Sequence, residues 1–80
     1  MTVEVRLFAT LSQFLPPGSK AGTVVLEVPD GARIADVTQR LGIPASFDHV
    51  LLLNGHNADA EARVHAGDVI DIFPPLTGGG

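Results

Sequence analysis

The sequence predicts an α+β domain in which a mixed sheet packs on one main helix, and three observations carry that prediction. Residues Thr2 to Phe8 alternate apolar and polar side chains, the two-residue period of a half-buried strand, and Thr23 to Val28 is rich in β-branched residues. From Ala32 to Leu41 the apolar spacing becomes helical. After that helix, Val50 to Leu53 and Val69 to Phe73 return to short apolar runs bounded by turn signals.

In the first strand Val3, Val5 and Leu7 share one face, with Glu4 and Arg6 on the other. Ala9 to Leu15 suits a short helical turn or two, which Pro16-Pro17-Gly18 stops before a loop running to Gly22. The second strand places Val24, Leu26 and Val28 on one face and ends at the turn signal Pro29-Asp30-Gly31, so the first two strands form a hairpin. In the helix Ile34, Val37 and Leu41 face the core, Asp36 and Arg40 form an i, i+4 pair, and Gly42 supplies a left-handed C-terminal residue. Val50 to Leu53 reads as a buried strand, and Asn54-Gly55 behind it as a tight turn. His56 to Ala66 has room for a short strand and a helical turn. Gly67-Asp68 then turns into the last strand, where Ile70 and Ile72 face one way and Val69, Asp71 and Phe73 the other.

Composition narrows the function. Eighty residues make one domain with one modest core. Hydrophobic residues form 45% of the chain and charged residues 18%, the balance of a globular protein. No cysteine is present, which removes disulfides, thiol nucleophiles and thiolate metal sites together. The net charge is −4 and the five Lys plus Arg are scattered, so no basic patch is available for nucleic acid. No run approaches a membrane span and the N-terminus lacks the pattern of a signal peptide; a cytoplasmic protein is expected.

One amphipathic helix can cover one sheet face, so the economical packing is a single four- to five-stranded mixed sheet curled around it, which is the β-grasp or ubiquitin-like fold. The other sheet face then stays largely solvated, and Phe73 on it either awaits a partner or folds back on its own domain. The domain is expected to span residues 1–75 and a flexible tail residues 76–80. That tail, Leu76-Thr77-Gly78-Gly79-Gly80, follows a Pro74-Pro75 stop and reads as a thin projecting strip. A strip without side chains enters a narrow channel, and its terminal carboxylate suits a substrate that ATP activates to an acyl-adenylate. Against this stands a frayed end or a linker remnant, since glycine-rich ends are common.

Three stretches add weight: "VRLFATLSQFLPP", "GDVIDIFPP" and the terminal "LTGGG". Together they resemble the MoaD/ThiS family of ubiquitin-like sulfur carriers over essentially the whole chain, and the MoaD branch more closely, with Phe73-Pro74-Pro75 ahead of Gly79-Gly80. Gly78 departs from the pattern, since a larger residue usually precedes the pair. The resemblance implies that an E1-like activating enzyme of the MoeB/ThiF type uses ATP and magnesium to adenylate Gly80. A sulfur donor then converts it to a thiocarboxylate, and an acceptor takes the sulfur. The implied acceptor is MoaE-like, in molybdopterin synthesis, and less readily ThiG-like, in thiazole synthesis. Cysteine or tRNA thiolation are further routes in the superfamily. On this reading Gly78 and Gly79 pass through a channel that excludes Cβ atoms, Leu76 and Thr77 lie at its mouth, and Val69, Phe73, Pro74 and Pro75 contribute to partner binding.

The remaining chemistry is thin. His49, His56 and His65 lack helical metal-ligand spacing and read as scattered surface residues, so no bound metal or other cofactor is expected. Asp68 and Asp71 lie at opposite parities, and Asp68 reads as a turn residue. The serines and loop glycines fall in no catalytic or phosphate-binding motif. The chain therefore reads as a substrate or non-catalytic subunit. Two other classes stay open: a ubiquitin-like modifier joined to target lysines, and an interaction module with an incidental tail. The single lysine, Lys20, would restrict multiply linked chains in the modifier class.

Overall fold

The computed structural model describes residues 1–43 and 50–74. Their order is β1 (Thr2–Leu7), a 3-10 helix (Ala9–Phe14), β2 (Thr23–Glu27), α1 (Ile34–Arg40), β3 (Val50–Leu53), β4 (His56–Ala58) and β5 (Val69–Phe73). The strands form one five-stranded sheet in the order β2-β1-β5-β3-β4. β1 pairs antiparallel with β2 and parallel with β5, while β3 pairs antiparallel with β5 and β4. This is the mixed β-grasp sheet expected from the sequence, and the first and last strands lie side by side at its centre.

Strand parity decides which residues reach the core. Val3, Val5 and Leu7 of β1 and Ile70 and Ile72 of β5 are buried against Ile34, Val37 and Leu41. Leu11 of the 3-10 helix and Val28, Ala32, Ile43, Leu51 and Val64 complete the cluster. Burying a full Val, Leu or Ile side chain stabilises by about 1.5–3 kcal/mol, so this layer dominates cohesion.

Helix α1 is short and held by its ends. Its Ile34 and Ala35 N–H groups donate to the Ala62 and Ala60 carbonyls, each at 2.9 Å, which satisfies donors that a free helix leaves to water. The Asp36 carboxylate accepts the Arg33 N–H at 2.9 Å. That cap replaces the expected Asp36–Arg40 pair: among the described residues Asp36 serves the helix start and forms no ion pair with Arg40. At the other end Gly42 has a φ of +80°, Gly42 N–H donates to Gln39 and Ile43 N–H to Thr38, each at 3.0 Å. These bonds complete a Schellman motif with Ile43 buried beneath it.

Of two further expectations, one needs adjustment and one holds. Val50 to Leu53 forms a strand, but only Leu51 is buried; Val50 is 40% exposed and Leu52 and Leu53 are half-buried. Alternation explains this, because a strand covered by helix on one face buries every second residue. The Asn54-Gly55 turn has positive φ at both residues, +52° and +85°, as a two-residue type I′ connection requires.

Candidate functional site

The sheet face away from α1 carries the candidate site. Register places Val50 opposite Phe73, Leu52 opposite Asp71, and Arg6 beside Asp71 on the other flank. Phe8 continues β1 past Leu7, its N–H donating to the Ile72 carbonyl at 3.1 Å. Two rows result: Val50, Phe73 and Phe8 are apolar, and Leu52, Asp71 and Arg6 mix an ion pair with one leucine.

The aromatic rings of Phe8 and Phe73 stack, with centroids 4.3 Å apart and planes 9° from parallel. Phe73 is half-buried, so the sequence's two options for this ring resolve into a compromise: it packs on its own domain through one face and leaves part of its surface open. Beside the stack a groove of about 360 Å³ is lined by Phe8, Ala9, Val50, Leu52, Phe73 and Pro74. Ala9 adopts a φ of +53°, a left-handed conformation unusual for a residue with a Cβ, as the chain turns from β1 into the 3-10 helix. This strained turn lies in the wall of the groove.

Asp71 is only 6% exposed although it faces away from the core. Its carboxylate accepts two hydrogen bonds from the Arg6 guanidinium, from Nε and from Nη2, the latter at 2.7 Å. The fork geometry suits a carboxylate held out of water. Hydrogen bonding to Asp71, followed by its charge, raises the Arg6 pKa above its usual value. This pair makes the floor beside the groove neutral rather than acidic.

The predicted site residues divide into three groups. Phe73 and Pro74 line the groove, and Pro74 leads directly into the tail. Val69 sits at the opposite end of β5 with Asp71 between, its N–H bound to Asn54 Oδ1 at 2.9 Å; it does not contribute to this groove. Pro75, Leu76, Thr77, Gly78, Gly79 and Gly80 lie outside the described residues.

Sequence reasoning missed Phe8, Ala9, Val50 and Leu52 as groove residues. A signal existed for Phe8, which has the outward parity of Glu4 and Arg6. Asp71 among four apolar neighbours, with Arg6 facing the same way, also pointed to a cross-strand ion pair. The expected turn role of Asp68 is present: it accepts the His65 N–H at 2.7 Å and an Asn54 side-chain N–H at 3.1 Å. Burial raises its pKa, but the bonds from Asn54 and His65 outweigh that effect and hold it below the usual range. Among the described residues no cluster of His, Asp and Glu has the makings of a metal site, and no helix is long and apolar enough to cross a membrane. His49 lies outside the described residues.

Solved structures share this architecture. Small archaeal modifier protein 1 from Haloferax volcanii is 29% identical, with a TM-score of 0.74 over 99% of this chain and 100% of its own. A Pyrococcus furiosus protein assigned as subunit 1 of the molybdopterin converting factor is 25% identical, with a TM-score of 0.70 over 94% of this chain and 98% of its own. A chain from the Helicobacter pylori complex of molybdopterin-converting factor subunits 1 and 2, 24% identical with a TM-score of 0.62 over 99% of this chain and 100% of its own, shows the fold alone. No curated protein sequence matches. The fold is thus that of MoaD-like converting-factor subunits, as the sequence resemblance implied, and it is shared by an archaeal modifier. With the Mut7-C ubiquitin family model matching residues 1–77, the whole length over which the sheet, helix and groove are built, the chain belongs to the Mut7-C ubiquitin family.

Proposed function

We propose that this protein is a ubiquitin-like sulfur carrier whose Gly80 carboxylate is adenylated by an E1-like enzyme of the MoeB/ThiF type. MgATP serves that enzyme, and a sulfur donor converts the adenylate to a thiocarboxylate. Displacement breaks the acyl–phosphate bond, releases AMP and leaves sulfur on the terminal carbonyl. The carrier then delivers sulfur to an acceptor, MoaE-like in preference to ThiG-like, for molybdopterin synthesis. The chain acts as a protein co-substrate and is not itself the catalyst.

The observation that carries this reading is the apolar groove at the root of the glycine tail. Phe8, Val50, Leu52 and Phe73 give a partner a surface to grip, and Pro74, in the same lining, immediately precedes the tail in sequence. A domain held there presents a strip narrow enough for a channel that excludes Cβ atoms. The Pyrococcus furiosus relative supports the molybdopterin branch, because a subunit implies a second chain to act upon. Its test is affinity: Phe73→Ala should weaken binding to the activating enzyme or the acceptor, and unchanged affinity for both would remove the groove from the account.

A second reading is favoured by the Haloferax volcanii modifier, which aligns along essentially the whole chain. The same activated glycine would then pass to a lysine amine on a target. Isopeptide adducts in cells would select this reading, whereas a thiocarboxylate without adducts selects the carrier.

A further inference from the structure

We infer that Lys20 and the cleft beside it form an acylation site for the activated tail of a second copy of this chain, an inference that rests on the activation of Gly80 proposed above. The molecule holds two amines, the α-amine of Met1 and the ε-amine of Lys20, and no thiol. The Met1 amine is part-buried and engaged: it donates to the Val28 carbonyl at 2.9 Å and lies 4.0 Å from Glu27 Oε1. Lys20 is exposed and has no ion pair among the described residues.

The backbone beneath Lys20 is fixed. Its N–H donates to the Thr23 carbonyl at 3.1 Å and its carbonyl accepts the Thr23 N–H at 2.9 Å, closing a turn with positive φ at Ala21 and Gly22. A Cβ at Gly22 would stand 3.3 Å from the Leu7 carbonyl oxygen, so the turn is also packed against β1. Next to it a cleft of about 480 Å³ is lined by Pro17, Gly18, Ser19, Lys20 and Thr23 to Val25. Val25, at 62% exposure, is the most exposed of the large hydrophobic residues described.

Among the described residues the strand edge at this cleft is open. The Gly22 carbonyl and the Val28 N–H bond inward to Leu7 and Met1, so alternation turns the backbone groups of Thr23, Val25 and Glu27 outward. Thr23 is occupied by Lys20, which leaves Val25 and Glu27 at the edge of a sheet where, among the described residues, β2 has no outer neighbour. An extended strip can pair there through its main chain, and glycine residues approach most closely. Pro75 to Gly80 spans at most about 20 Å, ample for two edge residues and a terminal carbonyl brought to the lysine.

In the reaction the deprotonated ε-amine of Lys20 attacks the Gly80 carbonyl carbon of the second copy. An N–C bond forms, the acyl–oxygen bond to AMP breaks with its electron pair leaving on AMP, and the amine proton passes to solvent. Each product carries one free tail and one free lysine at its ends, so chains grow through Lys20.

The test uses the full chain bearing a preformed thioester at Gly80, which makes it independent of any activating enzyme. It is mixed with the unmodified chain and, separately, with N-acetyl-lysine at equal concentration, and products are mapped by mass spectrometry. The expected result is a dimer linked at Lys20, formed about tenfold or more faster than the free-amine product. Lys20→Arg abolishes it and Val25→Asp slows it toward the free-amine rate. A dimer that survives Lys20→Arg, a rate no better than N-acetyl-lysine, or cyclised monomer in place of dimer would each overturn the inference. Failure of Gly80 activation by the enzyme would instead count against the carrier reading, so the two failures are distinguishable.

Discussion

Phe8 and Phe73 meet face to face across the junction of β1 and β5, ring centroids 4.3 Å apart. The contact joins the chain's first strand to its last described residues and forms one wall of the groove at the root of the tail. Stacked aromatic pairs contribute about 0.5–1.5 kcal/mol beyond the area they bury. A double-mutant cycle with Phe8→Leu and Phe73→Leu, followed by urea unfolding, should return a coupling energy in that range. Strictly additive variants would mean that each ring packs independently.

The Arg6–Asp71 pair should behave as a buried carboxylate that depends on its partner. Arg6→Met leaves Asp71 shielded without its fork of donors, and the midpoint of thermal unfolding should fall. Adding Asp71→Leu should recover most of the loss, because the apolar pair no longer strands a charge. A double variant less stable than Arg6→Met alone would contradict this view.

Asp68 gives the fold part of its acid sensitivity. Its native pKa is depressed by Asn54 and His65, so it binds protons less readily folded than unfolded. Its stabilisation is present above the unfolded value of about 3.9 and is lost as pH falls through the lower native value. Asp68→Asn should therefore cost stability at neutral pH, with the deficit shrinking below about pH 4. A deficit independent of pH, measured by chemical unfolding across that window, would refute the assignment.

Gly42 isolates a purely conformational effect. It holds a φ of +80° and a Cβ there would meet nothing within 4 Å. Gly42→Ala should cost about 1–2 kcal/mol through the left-handed backbone alone. No measurable loss in equilibrium unfolding would show that the helix end shifts to another cap.

The elements legible in the sequence were those whose signal is local. Alternation in Thr2 to Phe8 and the Asn54-Gly55 turn depend on neighbouring residues, and Gly42 marks its helix end by its own backbone freedom. Features set by cross-strand register were harder to read. Asp36 is a local exception: at the third helical position its carboxylate reaches back to the Arg33 N–H, and this short-range cap competes with the i, i+4 pair to Arg40. The groove joins Phe8, Val50 and Phe73 from three separate segments, and only the sheet order β1-β5-β3 brings them together. Val69 and Phe73 share a strand face, yet buried Asp71 divides them, so parity placed both correctly and grouped them too broadly.

The central claim is that Gly80 is the group activated and charged with sulfur. Intact-protein mass spectrometry after incubation with ATP, magnesium, a MoeB-like activating enzyme and a sulfide source tests it most directly, beside a variant lacking Gly79 and Gly80. The expected result is a mass gain equal to replacing one oxygen with sulfur, localised to Gly80 and absent from the truncated chain. No gain, with an enzyme shown to charge another carrier and to bind this one, would contradict it.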